Sequence, residues 1–155
     1  MKRIKKIAIA FFLVFIAIQF YQPKQNVSSS FDIGKNFANN YKVPPTVLSS
    51  LQKACYDCHS NNTEYPWYSY IQPVRFFMDT HINEGKKELN FNEFGTYSNQ
   101  KQKSKLEEII KQIKSNEMPL TSYTMIHHNA ILNKENKTVL INWLERTKDS
   151  LSKIN

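Results

Sequence analysis

The two cysteines of the chain, Cys55 and Cys58, are separated by two residues and followed at once by His59. In this spacing, two thiols can form thioether bonds with the two vinyl groups of one haem, while the adjacent imidazole reaches the iron. The motif therefore predicts one covalently attached haem c, with His59 as an axial iron ligand.

Other chemistry remains open to the same residues. A four-ligand zinc site could combine both cysteines with two of the four histidines, which are His59, His81, His127 and His128. A disulfide between the cysteines would close only a very small loop, and a thioredoxin-like redox pair would need a βαβ context that the sequence does not indicate. Two features favour haem over these alternatives: an export signal precedes the motif, and the sequence has no second cysteine pair for zinc.

The second axial ligand must come from elsewhere in the chain. Met118 is the first choice, because a thioether ligand favours ferrous iron and suits an electron carrier; Met118 could instead fill the core. His81 lies on the apolar face of a predicted helix and is the alternative ligand, although most such histidines form hydrogen bonds within the core. His127 and His128 lie in a polar stretch and are weaker candidates.

Three further residues are candidates for haem contacts. Tyr65 and Trp67 follow the motif closely and could line the haem or hydrogen-bond its propionates, but ordinary aromatic packing explains them equally well. Arg75 could bind a propionate or could be a solvated surface residue.

Apolar residues spaced three and four apart predict four helices that would position these side chains. The first predicted helix begins at Pro44 and Pro45 and ends at Cys55, and the second runs from Pro73 to about Glu84 with Gly85 as the stop. The third runs from a capping box of Ser104 and Glu107 to just before Met118. The fourth begins near Asn133. On the second of them, the predicted apolar face contains Val74, Phe77, Met78, His81 and Ile82. No segment alternates with a period of two, so the predicted fold class is all-α. Together with the haem motif, this predicts a cytochrome c-like helical domain around one haem.

The N-terminus joins a basic cluster to an apolar run over residues 7–18. This pattern predicts an export signal, and the lack of a small-x-small cleavage site favours its retention as a single-pass anchor. The predicted organisation is an anchor over 1–21, a flexible Asn- and Ser-rich linker over 22–40, and a haem domain over 41–155. The domain would face the periplasm from the inner membrane.

Composition narrows the function classes. The chain has 155 residues, 41% of them hydrophobic and only three of them glycine, which fits one globular domain and excludes fibrous architectures. Half of the net charge of +8 comes from the N-terminal cluster, namely Lys2, Arg3, Lys5 and Lys6. The remaining lysines are spread out without interleaved aromatics, so nucleic-acid binding is not predicted.

Several segments resemble a family of small haem-binding domains in bacterial envelope proteins, frequent in the Bacteroidetes. The similar segments are CYDCHSNNTEYP from Cys55, the following WYSYIQPVRFF, His81 with Gly85, the triplet Leu89-Asn90-Phe91, and Glu117-Met118-Pro119. The resemblance covers roughly residues 54–143. It implies covalent haem c and electron transfer, and the Met-Pro step before a closing helix with Trp143 is similar to monohaem cytochromes c.

The predicted function is therefore one-electron transfer between redox partner proteins of the envelope, without an enzymatic substrate. A peroxidase-like enzyme, or a sensor of redox state or of a diatomic gas, is the alternative. Either would need an open or displaceable sixth position, and the enzyme would also need an acid-base group such as His81 or Glu84.

Overall fold

A computed structural model describes residues 2–28 and 36–152 of the chain. Its helices, in chain order, are α1 (Lys2–Gln19), α2 (Phe37–Asn40), α3 (Pro45–Ala54), α4 (Tyr56–His59), α5 (Val74–Glu88), α6 (Asn99–Lys114), α7 (Thr121–Thr124) and α8 (Lys134–Leu151). Short 3-10 turns occupy Trp67–Tyr70, Phe94–Thr96 and His128–Ala130. Within the described ranges, extended pairing is limited to one bridge between Val27 and Asn62. The all-α prediction is confirmed.

The hydrophobic core lies where α3 and α6 pack against α8. Leu51, Leu106, Leu140 and Leu144 are all completely buried there. Burial of one such side chain stabilises a fold by about 1.5–3 kcal/mol. The short helix α4 packs against both α3 and α5, so the segment with both cysteines and His59 is held between two longer helices.

Phe37 lies at the centre of an aromatic cluster beside this core. Its side chain is completely buried, and its ring centroid is 4.9 Å from that of Phe94, 5.2 Å from that of Phe91 and 5.7 Å from that of Trp143. Edge-to-face contacts of this kind add to the energy of burial. Phe37 therefore belongs to the folded domain.

The predicted flexible linker over 22–40 differs from the structure wherever it is described. Besides Phe37, residues 22–28 follow the domain surface: Asn26 donates its side-chain amide to the Ser60 carbonyl and to the Thr63 hydroxyl, each at 2.9 Å. Residues 29–35 of the predicted linker lie outside the described residues. The polar composition suggested a solvated spacer, but these polar side chains form hydrogen bonds with the domain.

Three of the four predicted helices begin where the sequence indicates, and the differences lie at the end of α5 and at the start of α6. Helix α3 begins at Pro45, and α8 follows Asn133, whose side chain caps it by accepting from the Asn136 amide at 2.7 Å. Helix α5 continues through Gly85 to Glu88 rather than stopping. Helix α6 begins at Asn99 after the cap Ser98, so the proposed cap Ser104 lies inside the helix.

The predicted apolar face of α5 is buried only in part. Ile82 is buried, as is Arg75, whereas Phe77 is 60% exposed and His81 also faces solvent. The first half of α5 thus leaves apolar side chains uncovered by the rest of the domain.

Helix α1 contains 18 residues and buries none of its side chains against the domain. Among the described residues, no helix combines the length and the apolar character needed to cross a membrane. The predicted transmembrane anchor is therefore not supported, because the four basic residues occupy the first turns of the same helix.

Candidate functional site

The two cysteines and His59 border one cavity of about 580 Å³. Helix α3 delivers Cys55, whose amide donates to the Leu51 carbonyl at 2.9 Å, and the single turn of α4 presents Cys58 and His59. Other walls come from α5, α6 and the segment after α6, with apolar side chains that include Ala54, Leu89, Phe91, Ile109, Ile113, Leu120 and Leu132. The size and the largely apolar wall surface are typical of a cofactor site, and charged side chains such as Glu84, Glu88 and Lys105 also border the cavity.

Hydrogen bonds fix the orientation of the His59 imidazole. Its Nδ1 lies 2.8 Å from the carbonyl oxygen of Gly85 and 3.1 Å from that of Leu89. Because a carbonyl only accepts, Nδ1 carries the proton and Nε2 is left as the lone-pair nitrogen. Such a bond behind the ring is what orients metal-binding histidines.

Burial also keeps His59 in the form that binds metals. Desolvation lowers the pKa of His59, and the hydrogen bonds to Leu89 and Gly85 only partly oppose this effect. A neutral imidazole at neutral pH can donate its Nε2 lone pair without first losing a proton.

Gly85 has a second role, because it lets α5 touch the motif. A Cβ atom at this position would lie 2.7 Å from the carbonyl oxygen of Cys58 and 3.3 Å from its Cβ. Only glycine allows so close an approach. Sequence reasoning treated Gly85 as a helix stop and missed this contact, for which a glycine inside an otherwise continuous helical pattern was the available signal.

The triplet Leu89-Asn90-Phe91 holds His59 from the other side. Leu89 supplies one of the two carbonyls, and the Phe91 amide donates to the His59 carbonyl at 2.8 Å. Asn90 donates its side-chain amide to the side chain of Asn61 at 2.8 Å. The residues noticed as a sequence signature therefore brace the segment that carries the histidine.

The two thiols are poorly suited to redox catalysis. Burial, and the proximity of Cys58, raise the pKa of Cys55 to about 12, while burial and Asp57 raise that of Cys58 to about 11. A catalytic dithiol needs a thiolate of lowered pKa. Across residues 2–28 and 36–152, no group of three or more Cys, His, Asp and Glu side chains could hold a metal ion, as the zinc alternative would require.

Both candidates for the second axial ligand border the cavity. Met118 is half-buried just after α6, where its amide donates to the Gln112 carbonyl at 3.2 Å. His81 is exposed on α5, one turn before Gly85.

His127 and His128 lie away from the cavity lining. The ring of His127 stacks on that of Tyr123 at 4.2 Å, and its Nε2 lies 2.5 Å from the Tyr68 hydroxyl. His128 is exposed. Neither histidine is a lining residue of the cavity, although His127 contacts Tyr123, which is one.

Tyr65, Trp67 and Arg75 were predicted to contact the cofactor, but the fold does not bring them to the cavity. Arg75 is 1% exposed, pairs with Asp79 at 2.7 Å and lies 4.6 Å over the Tyr65 ring. Trp67 is 76% exposed. The Arg75 side chain lies on the side of α5 that faces residues 19–26, where Asp79 neutralises its charge and the Pro23 carbonyl accepts from it.

Tyr123 is a cavity residue that sequence reasoning missed. Its hydroxyl donates to a carboxyl oxygen of Asp57, inside the C-x-x-C-H motif, at 2.7 Å. Burial, with the bond to Asp57 next in size, raises the pKa of Tyr123, so the hydroxyl keeps its proton. This bond joins α7 to α4 at the cavity wall, and no spacing rule links residues so far apart in sequence.

Comparison with known proteins agrees with this geometry. A family model described as a haem-binding domain matches residues 13–146, which is most of the chain. No curated protein and no solved structure shows significant similarity. A cavity with apolar walls, two thiols and an oriented imidazole fits the cofactor that the family description names, and the chain belongs to the haem-binding domain family.

Proposed function

We propose that the chain is a monohaem c-type cytochrome that transfers single electrons in the cell envelope. The observation that carries this proposal is the arrangement of His59, whose Nδ1 is tied to two carbonyls while the ring and both thiols border one cavity. A noncovalent haem site would not need two cysteines on the same turn as the ligand.

The two thiols would attach the cofactor by addition. Each S–H would add across one vinyl double bond, with sulfur bonding to one vinyl carbon and the hydrogen going to the other. No atom is lost and no external oxidant is consumed. The raised pKa values of both thiols place them in the protonated form that carries the required hydrogen.

His59 would bind the iron through Nε2, and a second protein ligand would come from another wall of the cavity. The Gly85 carbonyl lies behind His59, and His81 is only four residues, or about 6 Å, along the same helix. Met118 instead follows α6, on a separate wall of the cavity. This arrangement favours Met118 over His81 as the ligand opposite His59.

Haem in such a site supplies a one-electron ferric/ferrous couple. Methionine opposite histidine favours the ferrous state and raises the reduction potential. Met118 would also occupy the position that a substrate would need, which favours electron transfer over substrate chemistry.

A peroxidase-like enzyme or a sensor is the second candidate, because His81 and Glu84 both border the cavity and could act as acid-base groups. The optical spectrum of the reduced protein with and without carbon monoxide distinguishes the two. A low-spin spectrum that carbon monoxide leaves unchanged is expected for the carrier. A high-spin spectrum with rapid carbon monoxide binding would favour the second candidate.

The same proposal places the domain outside the cytoplasm, where bacteria attach haem c. The basic cluster followed by an apolar run supports export. Cell fractionation should recover the protein with inner membranes. Recovery of a soluble chain that begins beyond Tyr21 would refute retention of the N-terminal segment.

A further inference from the structure

The end of α1 is fastened to the start of α5 by a buried glutamine. Gln72 is 3% exposed. Its backbone N–H donates to the side-chain oxygen of Gln19 at 2.9 Å, and its backbone carbonyl accepts from the side-chain nitrogen of Gln19 at 3.2 Å. The Gln72 side chain donates to the Tyr21 carbonyl at 2.7 Å. Three hydrogen bonds thus fix where the chain leaves α1.

The following residues are held by a buried arginine. Arg75 donates to the Pro23 carbonyl at 2.8 Å, and the Asn26 amide donates to the Tyr65 hydroxyl at 2.8 Å. Buried polar groups rarely lack such partners, so Gln72 and Arg75 bind the 19–26 segment as part of the fold. A free tether would need none of these contacts, so the chain that leaves α1 is fastened to the domain over residues 19–26.

Apolar side chains are exposed at the same junction. Trp67 is 76% exposed, Phe77 60%, Phe76 58% and Tyr70 52%. Tyr70 adjoins the end of α1, because its carbonyl accepts from the Gln22 side chain at 3.0 Å. These four aromatic residues, called here the aromatic patch, flank Gln72 in sequence, and Gln72 is bonded to the last residue of α1.

We propose that the aromatic patch and α1 together seat the domain on an anionic lipid surface in one orientation. Residues 7–18 of α1 are apolar around the whole circumference and bury nothing in the domain, which suits lipid. The basic cluster at its start suits anionic headgroups, and exposed Trp and Tyr are the side chains that prefer the boundary between lipid and water. The patch and α1 meet at one end, so one membrane surface could cover both.

This orientation would set the position of the cavity. Phe77 and Gly85 lie on the same helix, eight residues or about 12 Å apart. The N-terminal half of α5 would contact lipid, while its C-terminal half lines the cavity above the membrane. Partners would then reach the cavity from the side or from the aqueous phase.

The test compares nitroxide labels in the full chain with haem, reconstituted into vesicles of phosphatidylethanolamine and phosphatidylglycerol. One label is placed at Phe77→Cys in the patch and the other at Val139→Cys, an exposed apolar position on α8. We expect the nitroxide at position 77 to collide more often with oxygen, which concentrates in lipid, and its spectrum not to be broadened by an aqueous nickel complex. The nickel complex should broaden the spectrum of the nitroxide at position 139. Equal access of nickel at both positions would overturn the proposal.

Two controls accompany the labels at positions 77 and 139. If a second copy of the chain covers the patch, labels at position 77 broaden each other in detergent without lipid, and that result also overturns the proposal. The second control labels the unsubstituted chain, in which covalent haem should block Cys55 and Cys58. Uptake of label there would show that haem is not covalently attached, which is a separate result from nickel access at position 77. If Phe77→Cys folds poorly, Tyr70→Cys gives the same comparison.

Discussion

The carbonyl oxygen of Gly85 lies 2.8 Å from Nδ1 of His59, and the same residue leaves no room for a side chain against Cys58. One glycine therefore both orients the candidate iron ligand and sets the distance between α5 and α4. The obstructing atom is a backbone oxygen, so a rotamer change cannot relieve a clash there.

Gly85→Ala should destabilise the protein and lower its haem content. Helix propensity favours alanine by about 1 kcal/mol, but the displaced helix should cost roughly 1–3 kcal/mol. Guanidinium unfolding and haem absorbance per chain measure both effects. Asn83→Ala, at an exposed position of the same helix, is the matched control and should change stability by less than about 0.5 kcal/mol. Equal behaviour of the two variants would contradict a steric role for Gly85.

Tyr123→Phe should loosen the segment that carries Met118, because the hydroxyl joins α7 to Asp57 at 2.7 Å. We expect a loss of roughly 1–3 kcal/mol in unfolding free energy and faster binding of carbon monoxide to the ferrous protein. Stopped-flow absorbance measures the rate. Tyr21→Phe, at a 64% exposed tyrosine, should leave the rate unchanged. The bond to Asp57 has no such role if Tyr123→Phe binds carbon monoxide no faster than the unsubstituted protein.

Met118→Ala should abolish the weak near-infrared band that methionine sulfur bound to ferric iron produces, and should lower the reduction potential. His81→Ala should leave the band in place, because His81 lies on the same helix as Gly85 behind His59. The two variants are compared by near-infrared absorption and by potentiometry. An absent band in the unsubstituted protein, with low-spin character lost only in His81→Ala, would instead show histidine at both axial positions.

The haem-free chain should lose stability in alkali because of its thiols. Their pKa values rise from the ordinary 9.0 to about 12 for Cys55 and about 11 for Cys58 in the folded chain. Folding thus favours the protonated thiols, and this contribution is complete below pH 9 and is lost as the pH rises toward 12. Urea midpoints measured at about pH 8 and about pH 10.5 should fall further in the native haem-free chain than in Cys55→Ala with Cys58→Ala. An equal fall would show that other groups cause the loss.

The sequence alone predicted the all-α class and the starts of α3 and α8, because proline and asparagine act locally at helix starts. It also selected residues that border one cavity, namely Cys55, Cys58, His59, Met118 and His81. Local spacing was sufficient for the first three, which lie within five residues of one another.

What the sequence could not predict depends on contacts between distant segments. The bond between Tyr123 and Asp57 joins residues 66 positions apart. The sequence leaves Arg75 available to bind a propionate, but in the fold Arg75 pairs with Asp79 and donates to the Pro23 carbonyl. Likewise, Phe37 lies in a polar stretch that reads as a linker, and only its burial against Phe94 shows that the stretch is part of the fold.

Covalent attachment of haem at Cys55 and Cys58 is tested by extracting the exported, purified protein with acidified acetone and then measuring its intact mass. We expect the colour to stay with the polypeptide, and the mass to exceed that of the chain by one haem. In Cys55→Ala with Cys58→Ala, this added mass should be lost. Transfer of the colour into the solvent, leaving a polypeptide of unmodified mass, would contradict covalent attachment.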